Sequence, residues 1–475
     1  MKRLLVSMVV MLWGSLGWGA GVVEQTDLAF ADATAQSQAG YVKTGNSGQG
    51  GGDPGQGGGD PGPIVAEPSS WSLFFYLAID NELEAGGDLS LVNMLDATAD
   101  LEYHPRILVL VDRLSTEGTD VFEIVGGEQV MVASYDEQVS SDPAVLQDFV
   151  TMALDDFASV MNALIIKSEG FSWRGTCRDN THPGQDMDTL MSNGGVADAL
   201  MAAQVATGTP LDMLLLEASC MGFIEVVYEL RDAVDLLLTT ETKIQPNGGI
   251  PWPMILNDMA QDGDISPVDL GVVISDNHRD YWEDKGNHGD PADDTYADFA
   301  SMSVLDMTKM GPVFSAHNAY CETIVPLFEE LRNVLPHARD LSEIGGFGSI
   351  TDFDYQHDIV TFQDAALMII EQKGLSYPDL AAAIADYQAA HYDMVLYNVY
   401  ADKFHDKTQG LSIWYPPTYN KYNTTDPVGD VTFGSTIFYE DPDIALDWIA
   451  DSNWLWYLDE YFRAVYNYNA NRPSW

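Results

Sequence analysis

The sequence predicts an α/β protein: a doubly wound, mostly parallel sheet flanked by helices, with a C-terminal α/β half packed on it. Three features predict this. Short apolar runs recur from Trp71 to Leu238, each closes on a cluster of polar residues, and longer amphipathic segments separate them. Runs that are short and apolar on both faces suit central parallel strands covered by helices above and below. Alternation of strand and helix along a chain produces parallel crossovers, and so a doubly wound sheet.

The chain opens Met1-Lys2-Arg3, continues through an apolar stretch from Leu4 to Trp18, and exits through small residues to Gly21. That pattern reads as a secretory signal peptide over residues 1–21, cleaved after Gly19 or Gly21. The stretch is short for a transmembrane anchor, and no later run has the length to span a bilayer. The first cysteine is Cys177, so none is placed to carry a lipid behind the leader. The protein is expected to be secreted or periplasmic. Residues 22–69 form a flexible arm, in which GQGGGDP is written at 48–54 and again at 55–61. Glycine and proline at that density cannot bury a core.

The α/β core is assigned to residues 70–254. Trp71–Ile79 ends at Asp80-Asn81, and Ile107–Val111 ends at Asp112-Arg113. Ala163–Lys167 ends at Ser168-Glu169-Gly170, Met213–Leu216 at Glu217-Ala218-Ser219-Cys220, and Val234–Leu238 at Thr239-Thr240-Glu241. Pro143–Phe157 and Gly222–Asp232 read as helices, and the Gly-Gly pair inside 121–139 signals a hairpin. Residues 255–475 form the C-terminal half. It holds an acidic loop over 276–296, helical runs at 305–334 and 378–400, and a strand-like segment at 410–417. In doubly wound sheets the working residues gather past the carboxyl ends of the strands. The polar strand ends are therefore where chemistry is sought.

Charge and cysteine content narrow the class of function. The net charge is −52, from 21 basic and 73 acidic residues. A field of that sign repels nucleic acid and attracts cationic partners such as basic peptides or proteins, although a solvated acidic surface needs no ligand at all. With 46% hydrophobic residues the chain has ample material for a core. Three cysteines, Cys177, Cys220 and Cys321, make no disulfide framework. A Cys177–Cys220 bridge over the site is the pairing worth testing. No metal site is expected: His278 and His288 lie among aspartates, but their spacing matches no tight coordination geometry.

The order of motifs resembles the clostripain family of cysteine peptidases, which have a caspase-like fold. Tyr76, Asp80, Asn81, Leu83 and Glu84 fit the family's first strand end, and Val109, Val111, Asp112 and Arg113 fit its second. Met221-Gly222, Glu225-Val226 and Tyr228-Glu229-Leu230-Arg231-Asp232 fall on its nucleophile strand and helix. Thr240-Glu241, Gly249-Ile250-Pro251-Trp252 and Gly410–Pro416 echo three later signatures. The resemblance implies a cysteine dyad, cleavage after Arg or Lys, and a use for calcium. It also places the dyad: the histidine falls on Glu169 and the cysteine on Ser219. Gly170 then lies at the oxyanion position. Glu217 replaces the aspartate that reads a basic substrate side chain.

Both catalytic groups are thus changed. A thiolate held beside an imidazole performs the family's chemistry, and a carboxylate beside a hydroxyl is a poor substitute. Cys220, one residue along, and His182, in the loop after Glu169, form the fallback pair. One step along extended backbone turns a side chain to the opposite face, so Cys220 is expected to point into the sheet–helix layer. The expected function is an exported pseudopeptidase that binds basic peptides. The alternatives are an active endopeptidase using Cys220, or a non-enzymatic surface or secretion-associated scaffold.

Overall fold

Apolar stretches that cannot face water on either side settle into the middle of a sheet, and that rule places most of this chain. The computed structural model describes residues 70–181, 189–246, 248–283, 300–344, 355–401, 407–417, 439 and 446–466. The strands are β1 (Trp71–Ile79), β2 (Arg106–Arg113), β3 (Thr119–Val125), β4 (Glu128–Tyr135), β5 (Met161–Lys167), β6 (Thr176–Asp179) and β7 (Thr189–Met191). They continue with β8 (Met213–Glu217), β9 (Leu236–Thr239), β10 (Ser301–Asp306), β11 (Gln356–Asp358), β12 (Val395–Tyr400) and β13 (Ser412–Trp414).

Among the described residues nine strands form one sheet in the order β12-β10-β9-β8-β5-β1-β2-β3-β4. The five central strands, β9 to β2, run parallel. Two antiparallel strands finish each edge. The sheet therefore has the parallel centre expected, and β10 and β12 bring the C-terminal half into it.

Alternate side chains of the central strands feed two cores. Phe74, Tyr76, Leu164, Ile166, Leu214 and Leu216 face helices Pro143–Asp156, Asn193–Thr207 and Ile224–Glu229. Leu73, Phe75, Leu77, Ile165 and Leu215 face helices Glu84–Asp100, Trp252–Gln261 and Pro267–Glu283. The β3–β4 hairpin turns at Gly126 and Gly127, with φ of 57° and 83°, a left-handed pair that suits the twist of two flanking strands.

Four expectations need correction. The fifth strand starts at Leu236, two residues late, and the helix expected over Gly222–Asp232 is confined to Ile224–Glu229. Gly222 is held in the preceding turn by its N–H bond to Thr240 O (2.7 Å). The acidic segment expected as a loop begins as helix, since Pro267–Glu283 buries Leu270, Ile274, His278 and Trp282 along one stripe. The run at 378–400 is helical only to Met394. Its aromatic and β-branched end, Val395–Tyr400, pairs with β10 as an edge strand.

Helix Ile224–Glu229 also ties down distant parts of the chain. Glu225 Oε1 accepts bonds from Trp414 N–H (3.0 Å) and the Tyr439 hydroxyl (2.8 Å). Glu229 Oε1 accepts one from Trp448 N–H (3.2 Å), and Arg231 reaches Asp447 at 2.8 Å. Burial pushes the carboxyls of Glu225 and Glu229 from their usual range up to about 7. The folded chain therefore holds these protons more tightly than the unfolded chain. Their stabilising contribution is full below a pH of about 4.5 and is lost as pH rises through about 7. Glu225→Gln mimics the protonated form. It is expected to match the parent near pH 5 and to exceed its unfolding free energy at pH 8 by about 2–3 kcal/mol. Parallel pH profiles for the two proteins, measured by denaturant unfolding, would contradict this.

Candidate active site

Register between neighbouring parallel strands decides which polar ends meet. Strand β5 pairs with β8 so that Lys167 lies opposite Glu217. The two chains leave the sheet side by side, one as Ser168-Glu169-Gly170 and the other as Ala218-Ser219-Cys220. They approach so closely that a Cβ at position 170 would stand 2.2 Å from Ser219 O and 2.7 Å from Ser219 N. Only glycine fits there. The loop beyond folds back on itself: Gly170 bridges Thr176, Phe171 N–H donates to Gly175 O (2.9 Å), and the Thr176 hydroxyl donates to Glu169 O (2.8 Å). On the other side Cys220 N–H donates to Thr242 O (2.7 Å), and Ser219 Oγ accepts from Ile244 N–H (3.2 Å). The structure thus brings the Glu169–Gly170 and Ser219 segments together, as the strand ends required.

Electrostatics at this junction differ from those of a thiolate–imidazole pair. Glu169 is half-buried, and burial pushes its carboxyl up to about 7. The charge of Glu82 adds to the rise, while Arg178 and Lys243 oppose it. Arg178 Nη1 contacts both oxygens of Glu82, at 2.8 and 3.0 Å. A carboxyl cannot donate and accept at two ring nitrogens as imidazole does.

Glu217 is withdrawn from solvent. It is 1% exposed and forms an ion pair with Lys167, itself 3% exposed. Its oxygens also accept from Ile250 N–H (3.1 Å) and Trp252 Nε1–H (3.2 Å). The backbone at Gly249 (φ 56°) closes over the pair, where a Cβ would stand 2.2 Å from Glu217 Oε1 and 2.6 Å from Lys167 Nζ. Trp282 Nε1–H fixes that backbone by donating to Gly249 O (2.9 Å). His278 is buried near Lys167, and burial together with the lysine charge pushes its imidazole down to about 3. The carboxylate expected to receive a basic substrate side chain is thus buried and paired with Lys167.

The thiols are equally withdrawn. Cys220 is fully buried in the core beneath the sheet, with φ at 57°, and burial pushes its thiol well above the usual range. Its side chain lies in the sheet–helix layer. Cys177 is buried too, at about 12, and the three cysteines are free, so no Cys177–Cys220 bridge exists. Cys321 Sγ lies 3.5 Å from His317 Nε2, but burial raises the thiol and pushes the imidazole down to about 3, which makes a neutral core pair. His182 and His288 lie outside the described residues.

Two features escaped the sequence. One is Lys167, whose partner is visible only once the β5–β8 register is known. The other is a buried group of Asp80, Asp112 and Asp179, in which one carboxylate oxygen from each lies within 4.8 Å of the others. The signal was present for two of them, since Asp80 and Asp112 are polar strand ends. Asp179, at the end of β6, gave none.

A sheet with a parallel centre, carrying its site where two adjacent central strands end, defines an α/β fold of the kind used by caspase-like cysteine peptidases. Residues 75–451 match the Clostripain family, and the chain belongs to that family. Similar solved structures include a secreted C11 cysteine protease from Bacteroides thetaiotaomicron in complex with an irreversible peptide inhibitor. It has 20% identity and a TM-score of 0.54, over 73% of this chain and 93% of that one. Another is an inactive zymogen C11 protease from Parabacteroides distasonis, with 15% identity and a TM-score of 0.51, over 74% and 94%. At these identities the likeness concerns the fold alone. Among curated proteins none matches the chain.

The Lys167–Glu217 pair has a measurable signature. Lys167→Met leaves a buried carboxylate uncompensated and is expected to cost about 3–5 kcal/mol in denaturant unfolding. The double variant Lys167→Met/Glu217→Leu is expected to recover most of that loss, because neither charge remains to be desolvated. Losses that simply add in the double variant would contradict the pairing.

Proposed function

We propose that this chain is an exported, non-hydrolytic member of the clostripain family, with a specificity pocket filled from within. One observation carries the reading. Glu169 and Ser219 stand at the adjoining strand ends that the family resemblance assigns to imidazole and thiolate, and Lys167 occupies the carboxylate assigned to the substrate.

The chemistry follows from those groups. Peptide cleavage through a covalent intermediate needs a nucleophile that is substantially ionised or deprotonated on attack, and a partner that returns the proton to the leaving amine. The negative charge of a Glu169 carboxylate opposes an alkoxide developing beside it, and a carboxyl lacks the second ring nitrogen by which imidazole is oriented as it takes and returns the proton. The Ser219 oxygen is already a hydrogen-bond acceptor for Ile244. Gly170, expected at the oxyanion position, packs its Cα against the Ser219 backbone.

Affinity for basic partners, if expressed through this fold, belongs to its acidic exterior rather than to Glu217. The net charge of −52 favours cationic proteins over nucleic acid or anionic membrane. Export rests on the leader at residues 1–21, which lies outside the described residues. No described helix is long and apolar enough to cross a membrane.

Purified protein is expected to leave fluorogenic Arg- and Lys-peptides intact over hours, at rates indistinguishable from buffer. Glu169→His/Ser219→Cys restores the dyad but leaves Lys167 in the pocket, so it too is expected to show little turnover of these substrates. Turnover by the parent protein that disappears in Ser219→Ala would overturn the reading.

A further inference from the structure

We propose that strand β4 takes up an added strand from a cationic protein, an extended segment with a β-branched apolar centre and lysine or arginine at both ends. The inference rests on the reading that affinity for basic partners belongs to the acidic exterior, and not on the absence of peptide cleavage.

β4 is the last strand of the nine, paired with β3 on one side and, among the described residues, with no strand on the other. An edge strand presents every second N–H and C=O to solvent, and that row pairs with any chain able to run alongside it. Natural edges are blunted by lysine, proline, inward charges or a covering helix. β4 has neither lysine nor proline. Every residue of the strand but Ala133 is exposed, so the helix layers stop short of it. Val130, Met131 and Val132 follow one another at 48%, 57% and 38% exposure. Three consecutive apolar residues facing water on both sides of a strand mark a surface that something packs against.

Charge names the occupant. Glu128 opens the strand and Asp136 follows its last residue, and both are exposed. Glu117 is exposed in the turn between β2 and β3, where a Cβ at Gly118 would stand 2.8 Å from Tyr135 O. The apolar centre is thus flanked by carboxylates at both ends. From residue 71 to residue 166 the chain has no lysine, and its arginines there are already engaged, Arg106 with Glu123 and Arg113 with Asp88. A second copy fits this edge poorly. Antiparallel pairing of β4 with itself would carry each Glu128 toward the Asp136 end of the other strand, and each copy brings a charge of −52. A strand with basic residues at both ends meets the opposite sign whichever way it runs.

The ladder sets the length of the added strand. Pairing with β3 is unbroken from Glu128 to Met131, opposite Val125 to Phe122; Val121 then pairs with Ala133, so that Val132 has no partner in β3. A bulge of this kind increases the local twist and confines the regular edge to Glu128–Met131. In strand addition the main chain supplies affinity and alternate side chains supply specificity. A contact this short lies below the size of a standard interface, so the association is transient.

The test uses the full mature chain and a fluorescent synthetic peptide with alternating valine and threonine in its middle and paired lysines at each end. A second peptide keeps the lysines and has proline in place of the central valines. The first is expected to bind at one saturable site, to be released by salt, and to bind more tightly than the proline peptide by about tenfold. Met131→Lys puts a cation at the centre of the edge and is expected to weaken binding by about tenfold. Val205→Lys, at an exposed apolar position on helix Asn193–Thr207, is expected to leave it unchanged. Both variants change exposed side chains, and far-UV circular dichroism checks that each is folded. Equal binding of the two peptides, or equal losses in the two variants, would mean diffuse attraction to the acidic surface; the proposal would fall and the broader reading would stand. Dimerisation of the parent that Met131→Lys abolishes would mean that a second copy covers the edge, and would overturn the proposal. Failure of both peptides to bind would overturn the proposal together with the reading it rests on.

Discussion

Two strand ends lie so close that one of them has to be glycine, and the arrangement of the site depends on that contact. With Gly170 pressed against the backbone of Ser219, the ends of β5 and β8 cannot separate, and the register that sets Lys167 opposite Glu217 is held at the sheet's edge of exit. A larger residue at 170 would have to push Ser219 aside. The contact packs the Glu169–Gly170 backbone against that of Ser219, and the neighbouring pair of residues, Lys167 and Glu217, forms a buried ion pair.

That buried pair explains more of the local structure than the dyad positions do. Glu217 gathers Lys167, Ile250 N–H and the Trp252 indole on one carboxylate, and so anchors the turn that leads into helix Trp252–Gln261. Gly249 closes above it, and Trp282 pins Gly249 from helix Pro267–Glu283. Buried ion pairs are poor sources of net stability, but removal of one partner is severe. The pair therefore fixes the turn that leads into helix Trp252–Gln261.

Much of this architecture was legible in the sequence, for reasons that differ by element. β1, β2, β5 and β8 were readable because apolar residues on both faces leave a chain few other places to go. The β3–β4 hairpin was readable because Gly126-Gly127 supplies two left-handed residues in a row. Val395–Tyr400 was misread because its alternating aromatic pattern continues a helix without a break signal, and pairing with β10 decides the outcome. Cys220 is buried as the alternation of strand faces suggested, but it lies beyond the end of β8 with φ at 57°, so the turn and not the pleat sets its direction. The fate of Glu217 was not legible, because a carboxylate's partner depends on strand register. The aspartate cluster was hidden for the same reason, with Asp80, Asp112 and Asp179 drawn from three segments.

The central claim is that no competent nucleophile faces the junction of β5 and β8. Incubation of the intact protein with arginyl and lysyl acyloxymethyl ketones, followed by intact mass and peptide mapping, tests it most directly. The account predicts unmodified protein, with Ser219, Cys220 and Cys177 all free of adduct. A stoichiometric adduct on Ser219 or Cys220 would contradict it.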